Sequence, residues 1–383
     1  MQGRRLFGAR VLLFGIVGQS RAAEQGIQAL SPWNLTLDAL ASQSPFHSTA
    51  DDFADAGEAV DRVLAAFPEI PAWPQLPNRS FLENMYVQYS EGLPCLVVDM
   101  EKGRIHFDTA GDTMAEIEAF YGKVIAGDLD AFAISPDYAP GFHRLLDSLA
   151  ASPPPGLACV KGQIVGPVSM GLTVTDQEKR AILYHDELME AVLKSLSMKA
   201  AWQVREMKKV CPDVMIWLDE PYLASFGSAY VSLSERQVLS MIGEVAQAIR
   251  DAGALAGIHC CGNTDWSLLM RAGLDVINFD AYGYFTGMTC YPEALKSFLG
   301  AGGILALGLV PTSEKIMGET VDGLASMLGE RIGALAGKTG LGAGEIMGRC
   351  LLTPSCGTGS LSPGIAEKIL DAVHALSGRS RGE

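Results

Sequence analysis

From Leu157 to the C-terminus, short apolar runs rich in β-branched residues alternate with longer stretches of helical periodicity. This alternation is typical of consecutive βα units, which build a parallel sheet. The predicted strands are Leu157–Val165, Val214–Leu218, Leu255–His259, Asp275–Phe279, Ile304–Leu309 and Arg349–Thr353. The predicted helices are Gln177–Lys209, Glu235–Ala252, Trp266–Ala272, Pro292–Leu299, Thr320–Ala336 and Pro363–Leu376. The C-terminal two-thirds of the chain therefore predicts six βα units.

The N-terminal third can supply two further units, which would close a barrel. Strand candidates lie at Pro94–Val98 or Ala131–Ser135, and helix candidates lie at Phe53–Ala66 and Thr113–Ile125. We therefore predict an α/β fold of the (βα)8 TIM barrel class with an irregular N-terminal extension. In this interpretation residues 1–44 are a poorly defined extension, and residues 45–383 form a single barrel catalytic domain.

The segment Pro68–Pro77 reads PEIPAWPQLP and is too rich in proline for regular structure. Proline removes a hydrogen-bond donor from a β-ladder and breaks helices. We expect a loop here that covers the functional site, with the part around Trp73 in contact with a bound ligand.

The formal net charge of −15 works against nucleic acid and anionic membranes as partners, because both are bound through Lys and Arg. Eight cysteines in 383 residues do not form a dense disulfide framework, which favours a reducing compartment, the cytoplasm. Near the N-terminus, the apolar run Val11–Gly18 loosely resembles a signal peptide, so export stays open as an alternative. No run approaches the roughly 20 apolar residues of a membrane-spanning helix.

Polar residues at the ends of the apolar strands are the candidates for a functional site, because a parallel barrel forms its site at the C-terminal ends of its strands. These candidates are Gln163, Asp219, Glu220, His259, Cys261, Asn263, Asp280 and Cys356. They follow five different predicted strands, so we expect them to converge at one mouth.

The pair His259-x-Cys261 is the most specific signal in the chain. Alternate residues of an extended strand point the same way, so the imidazole and the thiolate can bind one ion, with Cys356 beside them. Imidazole and thiolate together select zinc, and three protein ligands with one open position are typical of a catalytic site. The alternative is that these residues only pack in the core. Cys260 should face away from the pocket and pack.

The carboxylates supply the predicted catalytic and substrate contacts. Asp219 is expected to capture a substrate ammonium group, and its alternative role is to cap the next helix. Asp280 is predicted to be a fourth metal ligand, a hydrogen-bond acceptor for His259 or a turn residue. Glu220, Gln163 and Asn263 are further candidates for substrate contacts.

Four motifs carry a family resemblance: IHCCGN from Ile258, WLDEP from Trp217, KGQIVGP from Lys161 and LTPSCG from Leu352. They resemble the catalytic domain of cobalamin-independent methionine synthase, over roughly residues 46–377. The His-x-Cys-Gly-Asn form is also similar to zinc-dependent methylcobamide:thiol methyltransferases of the uroporphyrinogen decarboxylase superfamily.

The resemblance implies that His259, Cys261 and Cys356 bind zinc and that Asp219 contacts the amino group of a homocysteine-like thiol. Asp280 stands where methionine synthase has a glutamate. The chain is too short for the duplicated half that methionine synthase uses with its folate donor, which favours a corrinoid donor, delivered by a carrier protein. The predicted function is therefore a zinc-dependent methyltransferase that moves a methyl group from a corrinoid to a small thiol. Homocysteine, which would give methionine, is one candidate acceptor. The alternatives are a metal-free decarboxylase resembling uroporphyrinogen decarboxylase and a non-catalytic thiol- or corrinoid-binding protein.

Overall fold

The computed structural model describes residues 56–381, apart from residues 78, 112, 229–230 and 359–360. The predicted extension over residues 1–44 lies outside the described residues, as do the first three residues of the predicted helix Phe53–Ala66.

A six-stranded, all-parallel sheet forms the centre of the molecule, in the order β3-β5-β6-β7-β8-β9. Its strands are β3 (Val160–Val165), β5 (Val214–Asp219), β6 (Leu255–Cys260), β7 (Val276–Phe279), β8 (Ile304–Val310) and β9 (Cys350–Pro354). All six strands that the sequence predicts in this part of the chain are confirmed. Their residues are almost entirely buried, as expected for a parallel sheet that is covered on both faces.

Helices follow the strands and cover the sheet. They are α1 (Ala56–Ala66), α2 (Met85–Gln88), α3 (Met114–Ala126), α4 (Pro140–Ala151), α5 (Pro167–Thr173), α6 (Asp186–Met207), α7 (Glu235–Asp251), α8 (Trp266–Arg271), α9 (Phe285–Met288), α10 (Pro292–Gly300), α11 (Val321–Thr339), α12 (Ala343–Met347) and α13 (Pro363–Arg381). The long helices bury one apolar face each, as α7 does. Helix α7 begins at a capping box formed by Ser234 and Gln237. In the described residues, none of the helices combines the length and apolar character that crossing a membrane requires.

The prediction of a closed (βα)8 barrel is wrong. The sheet curls into a half-barrel, and within the described residues its edge strands β3 and β9 do not pair with each other. The candidate strand near Pro94 forms β1 (Leu96–Asp99), which pairs with β2 (Arg104–Phe107) in a separate small sheet that β4 (Thr175–Asp176) completes. A connection this short joins antiparallel strands only, so β1 and β2 form a hairpin and not a βα unit. The second candidate, Ala131–Ser135, overlaps a 3-10 helix.

The proline-rich segment explains why the sheet ends at β3. It runs beside β3, where the amide of Lys161 donates to Pro71 O at 2.9 Å and Ala72 forms an isolated bridge. Pro71 and Pro74 have no N–H groups, so the segment cannot continue a ladder. The segment is a loop, as predicted, but Trp73 is fully buried, and its Nε1 donates to Gln203 Oε1 at 3.2 Å. The segment therefore belongs to the core, and Trp73 does not face a substrate.

Candidate metal centre

His259, Cys261 and Cys356 come together at the C-terminal ends of the sheet strands. Their ligand atoms all lie within 4.8 Å of one another, so the three residues could hold a metal ion. His259 is fully buried, and both cysteines are partly exposed. The predicted grouping is therefore confirmed, and the identity of the metal stays a prediction.

The curl of the sheet brings these ligands together. His259 belongs to β6, and Cys356 lies just beyond β9, three strands away in the sheet. Strands about 4.8 Å apart would separate such positions by about 14 Å in a flat sheet. The observed separation of at most 4.8 Å requires the sheet to bend around the site.

The end of β9 is turned toward the site by a local irregularity. The pairing register of β8 and β9 shifts between Gly308 and Val310. A Cβ atom at position 308 would lie 2.7 Å from Ser355 Cα, so only glycine admits this backbone so close. Ser355 Oγ also accepts a hydrogen bond from the amide of Thr312 at 3.0 Å. These contacts fix the segment that carries Cys356.

The thiols of Cys261 and Cys356 are joined by a hydrogen bond. The hydrogen bond from Cys356 lowers the pKa of Cys261, although burial opposes it. The same hydrogen bond raises the pKa of Cys356, burial raises it further, and the hydrogen bond with His259 lowers it. Cys261 is therefore the thiol that ionises first, and thiolate is the form that binds metal.

Asn278 is a site residue that the sequence reasoning missed. It is fully buried in β7, and its Oδ1 lies in hydrogen-bond contact with His259 Nδ1. Its Nδ2 donates to Ala306 O at 3.0 Å and to Thr353 Oγ1 at 2.9 Å. A polar residue inside the otherwise apolar strand VINF was the signal that could have found it.

Asp219 lies at the end of β5, in register with His259 on β6, and is 1% exposed. Burial raises the pKa of Tyr89, and the negative charge of Asp219 raises it further. Tyr86 also lies near Asp219, and its pKa is raised to about 12, mainly by burial. Asp219 thus faces a partly aromatic interior on the same side of the sheet as the candidate metal ligands.

The neighbouring Glu220 is oriented differently. Its carboxylate accepts hydrogen bonds from the amides of Val168 and Ser169, both at 2.8 Å, and from Ser169 Oγ at 2.6 Å. These amides belong to the first turn of α5, where donors without helical partners meet a negative charge. The three donors lower the pKa of Glu220, but burial outweighs them and raises it to about 7. A side chain at Gly166 would overlap this carboxylate.

Gln163 and Asn263 lie at different depths. Gln163 is buried in β3, and its Nε2 donates to Trp73 O at 3.0 Å. Its Oε1 is buried and has no hydrogen-bond partner in the part of the chain that the structure describes. Asn263 is exposed, and its Oδ1 accepts a hydrogen bond from Trp266 Nε1 at 3.2 Å.

Asp280 is partly buried, and its Oδ1 accepts a hydrogen bond from the amide of Gly283 at 2.7 Å. Burial raises its pKa, and the amides of Gly283 and Tyr282 and the charge of His259 lower it. Among the described residues, the group of converging ligand atoms contains His259 and the two cysteines but not Asp280. Cys260 is fully buried next to this group, and burial raises the pKa of its thiol to about 12.

Comparison of the chain with models of protein families and with curated proteins gives no match.

Proposed function

We propose that this protein is a zinc-dependent methyltransferase that moves a methyl group from a methylated corrinoid to a small thiol of the homocysteine type. The observation that carries the proposal is the convergence of one imidazole and two thiols at the strand ends, beside a buried carboxylate. The family resemblance of the four motifs around these residues supports it.

The donor set fits zinc. Thiolate and imidazole ligands favour zinc over magnesium or calcium, which prefer oxygen ligands. Three protein ligands leave a coordination position open, as in catalytic zinc sites, and Asp280 is engaged with Gly283 instead. A zinc ion bound by His259, Cys261 and Cys356 would lower the pKa of an acceptor thiol, so that its sulfur is a nucleophile at neutral pH.

The side chains around the site favour an acceptor that also carries an ammonium group. Asp219 presents a buried carboxylate, and Gln163, on the same face of adjacent β3, presents a buried amide oxygen. A buried carboxylate attracts a cation strongly, because charges interact more strongly away from water. An amino-acid thiol brings a sulfur to the metal ligands and an ammonium group to Asp219, which fixes its orientation.

The rim of the site favours a bulky methyl donor. Tyr222 and Tyr284 follow β5 and β7 and remain 40% and 44% exposed. Flat aromatic side chains suit contact with a large planar ligand such as a corrinoid. They replace Trp73 as the residues that we expect to touch the donor. A corrinoid carrier protein as partner and a cytoplasmic location, where thiols stay reduced, complete the proposal.

Metal content and turnover test the proposal together. Purified protein should hold about one zinc per chain, and Cys261→Ala and Cys356→Ala should lose it while remaining folded. Cys290→Ala, which changes an exposed cysteine outside the group, is the matched control and should keep the metal. Stoichiometric zinc in both site variants would refute the metal assignment.

The donor is tested by giving the enzyme either methylcobalamin or methyltetrahydrofolate with homocysteine and measuring the methylated thiol. We expect slow, zinc-dependent turnover with free methylcobalamin, because an unanchored donor lacks the orientation that a carrier provides. Robust turnover with the folate alone would overturn the corrinoid donor. No turnover with either donor would favour the decarboxylase or the binding protein.

A further inference from the structure

Asn278 contacts three neighbouring strands of the sheet from a single buried amide. Its Oδ1 meets the ring of His259 on β6, and its Nδ2 donates to Ala306 O on β8 and to Thr353 Oγ1 on β9. Thr353 lies near the end of the strand that leads to Cys356. The amide of Asn278 therefore connects β6, which carries His259, with β9, which precedes Cys356.

The orientation of this amide follows from its partners. A backbone carbonyl oxygen only accepts hydrogen bonds, so the amide nitrogen of Asn278 must face Ala306 O. The amide oxygen then faces His259, and an oxygen without hydrogen can only accept. His259 must therefore carry a hydrogen on Nδ1, which it donates to Asn278.

The Nδ1–H tautomer of His259 fixes the state of its other ring nitrogen, Nε2. A neutral imidazole with hydrogen on Nδ1 has a lone pair on Nε2. Because Nδ1 is engaged by Asn278, Nε2 is the nitrogen available to the group formed with Cys261 and Cys356. A lone pair on this atom is what a metal ligand requires.

We propose that Asn278 is a positioning residue that holds His259 in its Nδ1–H tautomer and so directs the Nε2 lone pair toward Cys261 and Cys356. Through Thr353 the same amide ties the ring to the strand that leads to Cys356. The ligand set is thereby arranged before any metal arrives. The consequence for metal affinity rests on the proposed function, whereas the tautomer assignment does not.

The tautomer is measured by long-range ¹H–¹⁵N NMR of the metal-free protein, at a pH where imidazoles are neutral. The chain has six histidines, and the His259→Gln spectrum identifies the signals of His259. We expect the Nδ1–H pattern in the wild type and in Asn278→Asp, which keeps an acceptor for the ring. Asn278→Leu should lose it. An Nε2–H pattern in the wild type, or an unchanged pattern in Asn278→Leu, would overturn the proposal.

Zinc affinity of the folded protein, measured by competition with a chromophoric chelator, is the second readout. Asn278→Leu should weaken zinc binding by about 10- to 100-fold, the usual effect of losing a partner of a metal-bound histidine. Thr353→Val should weaken it less. Thr339→Val removes another buried hydroxyl, which donates to Leu335 O at 2.8 Å on α11, and should leave zinc affinity unchanged.

Lower stability of Asn278→Leu with unchanged zinc affinity would mean that Asn278 is merely structural and would refute the proposal. If Asn278→Leu does not fold, equal zinc affinities of Thr353→Val and Thr339→Val would refute it instead. A wild type with the Nδ1–H tautomer but without zinc affinity would refute the proposed function and leave the tautomer assignment intact.

Discussion

Buried polar side chains occur in two regions of this molecule, and their surroundings differ. At the strand ends, Asn278 and Glu220 are fully buried, and each meets several donors or acceptors. In α6, which packs against β3 and β5, Lys199 and Ser195 are equally buried. Their Nζ and Oγ atoms have no hydrogen-bond partner among the described residues. Burial alone therefore does not mark the functional site, and the convergence of donors and acceptors does.

Removing a buried polar side chain should change the stability of the protein in opposite directions in the two regions. Removing a buried polar group should destabilise the protein where its partners are left behind, because they lose their hydrogen bonds without regaining water. It should stabilise the protein where no partner exists.

The largest effect is expected for Glu220→Ala at the strand ends. The change leaves the first amides of α5 buried without an acceptor, which should lower the free energy of unfolding by about 3–5 kcal/mol. Urea denaturation measures it. Glu319→Ala is the matched control, since this partly exposed carboxylate accepts one hydrogen bond from Tyr282, and it should cost less than about 1 kcal/mol. Equal stability of Glu220→Ala and the wild type would show that Glu220 is not a cap but a group held for a ligand.

Lys199→Met in α6 should instead raise the free energy of unfolding. Burial lowers the pKa of Lys199 from 10.5 to about 8 and outweighs the opposing charge of Glu91, so the protonated amine is costly in the folded state. At pH 7 the variant should be more stable by about 2–3 kcal/mol. Between about pH 8 and 10.5 the unfolded chain binds more protons than the folded one, so the wild type gains stability and the difference shrinks.

Denaturation curves at pH 7 and pH 10.5 would measure this difference. Lys194→Met is the control on the same helix, because Lys194 is 34% exposed and pairs with Glu244, and it should change stability by less than about 1 kcal/mol. A less stable Lys199→Met at pH 7 would mean that the amine has a partner and that the two regions do not differ.

Asp219→Asn tests the part of the strand ends that we assign to the acceptor. If Asp219 binds an ammonium, the variant should weaken homocysteine binding by about 1.5–3 kcal/mol, the range for hydrogen bonds to charged groups. Calorimetric titration of the zinc-loaded protein measures this loss. A thiol without an amino group should bind the variant and the wild type alike. Equal weakening of both thiols would make Asp219 a structural residue like Glu220.

The smallest effect is expected for Asp280→Asn. Asp280 accepts a hydrogen bond from the amide of Gly283 and lies outside the group of converging ligand atoms. The amide oxygen of an asparagine can accept the same hydrogen bond. Zinc affinity should fall by less than about 1 kcal/mol, well below the effect expected for Asn278→Leu. A loss as large as that of Cys261→Ala would make Asp280 a fourth ligand, as the sequence allowed.

The sequence by itself determined the repeating βα units and the grouping of the three candidate metal ligands. Both follow from short-range rules: apolar runs of strand length alternate with helical periods, and polar residues after parallel strands meet at one edge. His259 and Cys261 share a strand end, so their common direction is a local property.

Only the tertiary structure decided whether the sheet closes and what each carboxylate does. The β1–β2 hairpin and the proline-rich segment beside β3 can be judged only against their neighbours, and they leave a half-barrel where eight units were expected. Asp219 and Glu220 are adjacent and chemically alike. The amides of α5 bind Glu220, whereas Asp219 is buried in the interior of the site. Asn278 stands out in its apolar strand, but its role follows only from partners 19, 28 and 75 residues away. Hydrogen bonds over such separations depend on how the strands are arranged, and no local pattern encodes them.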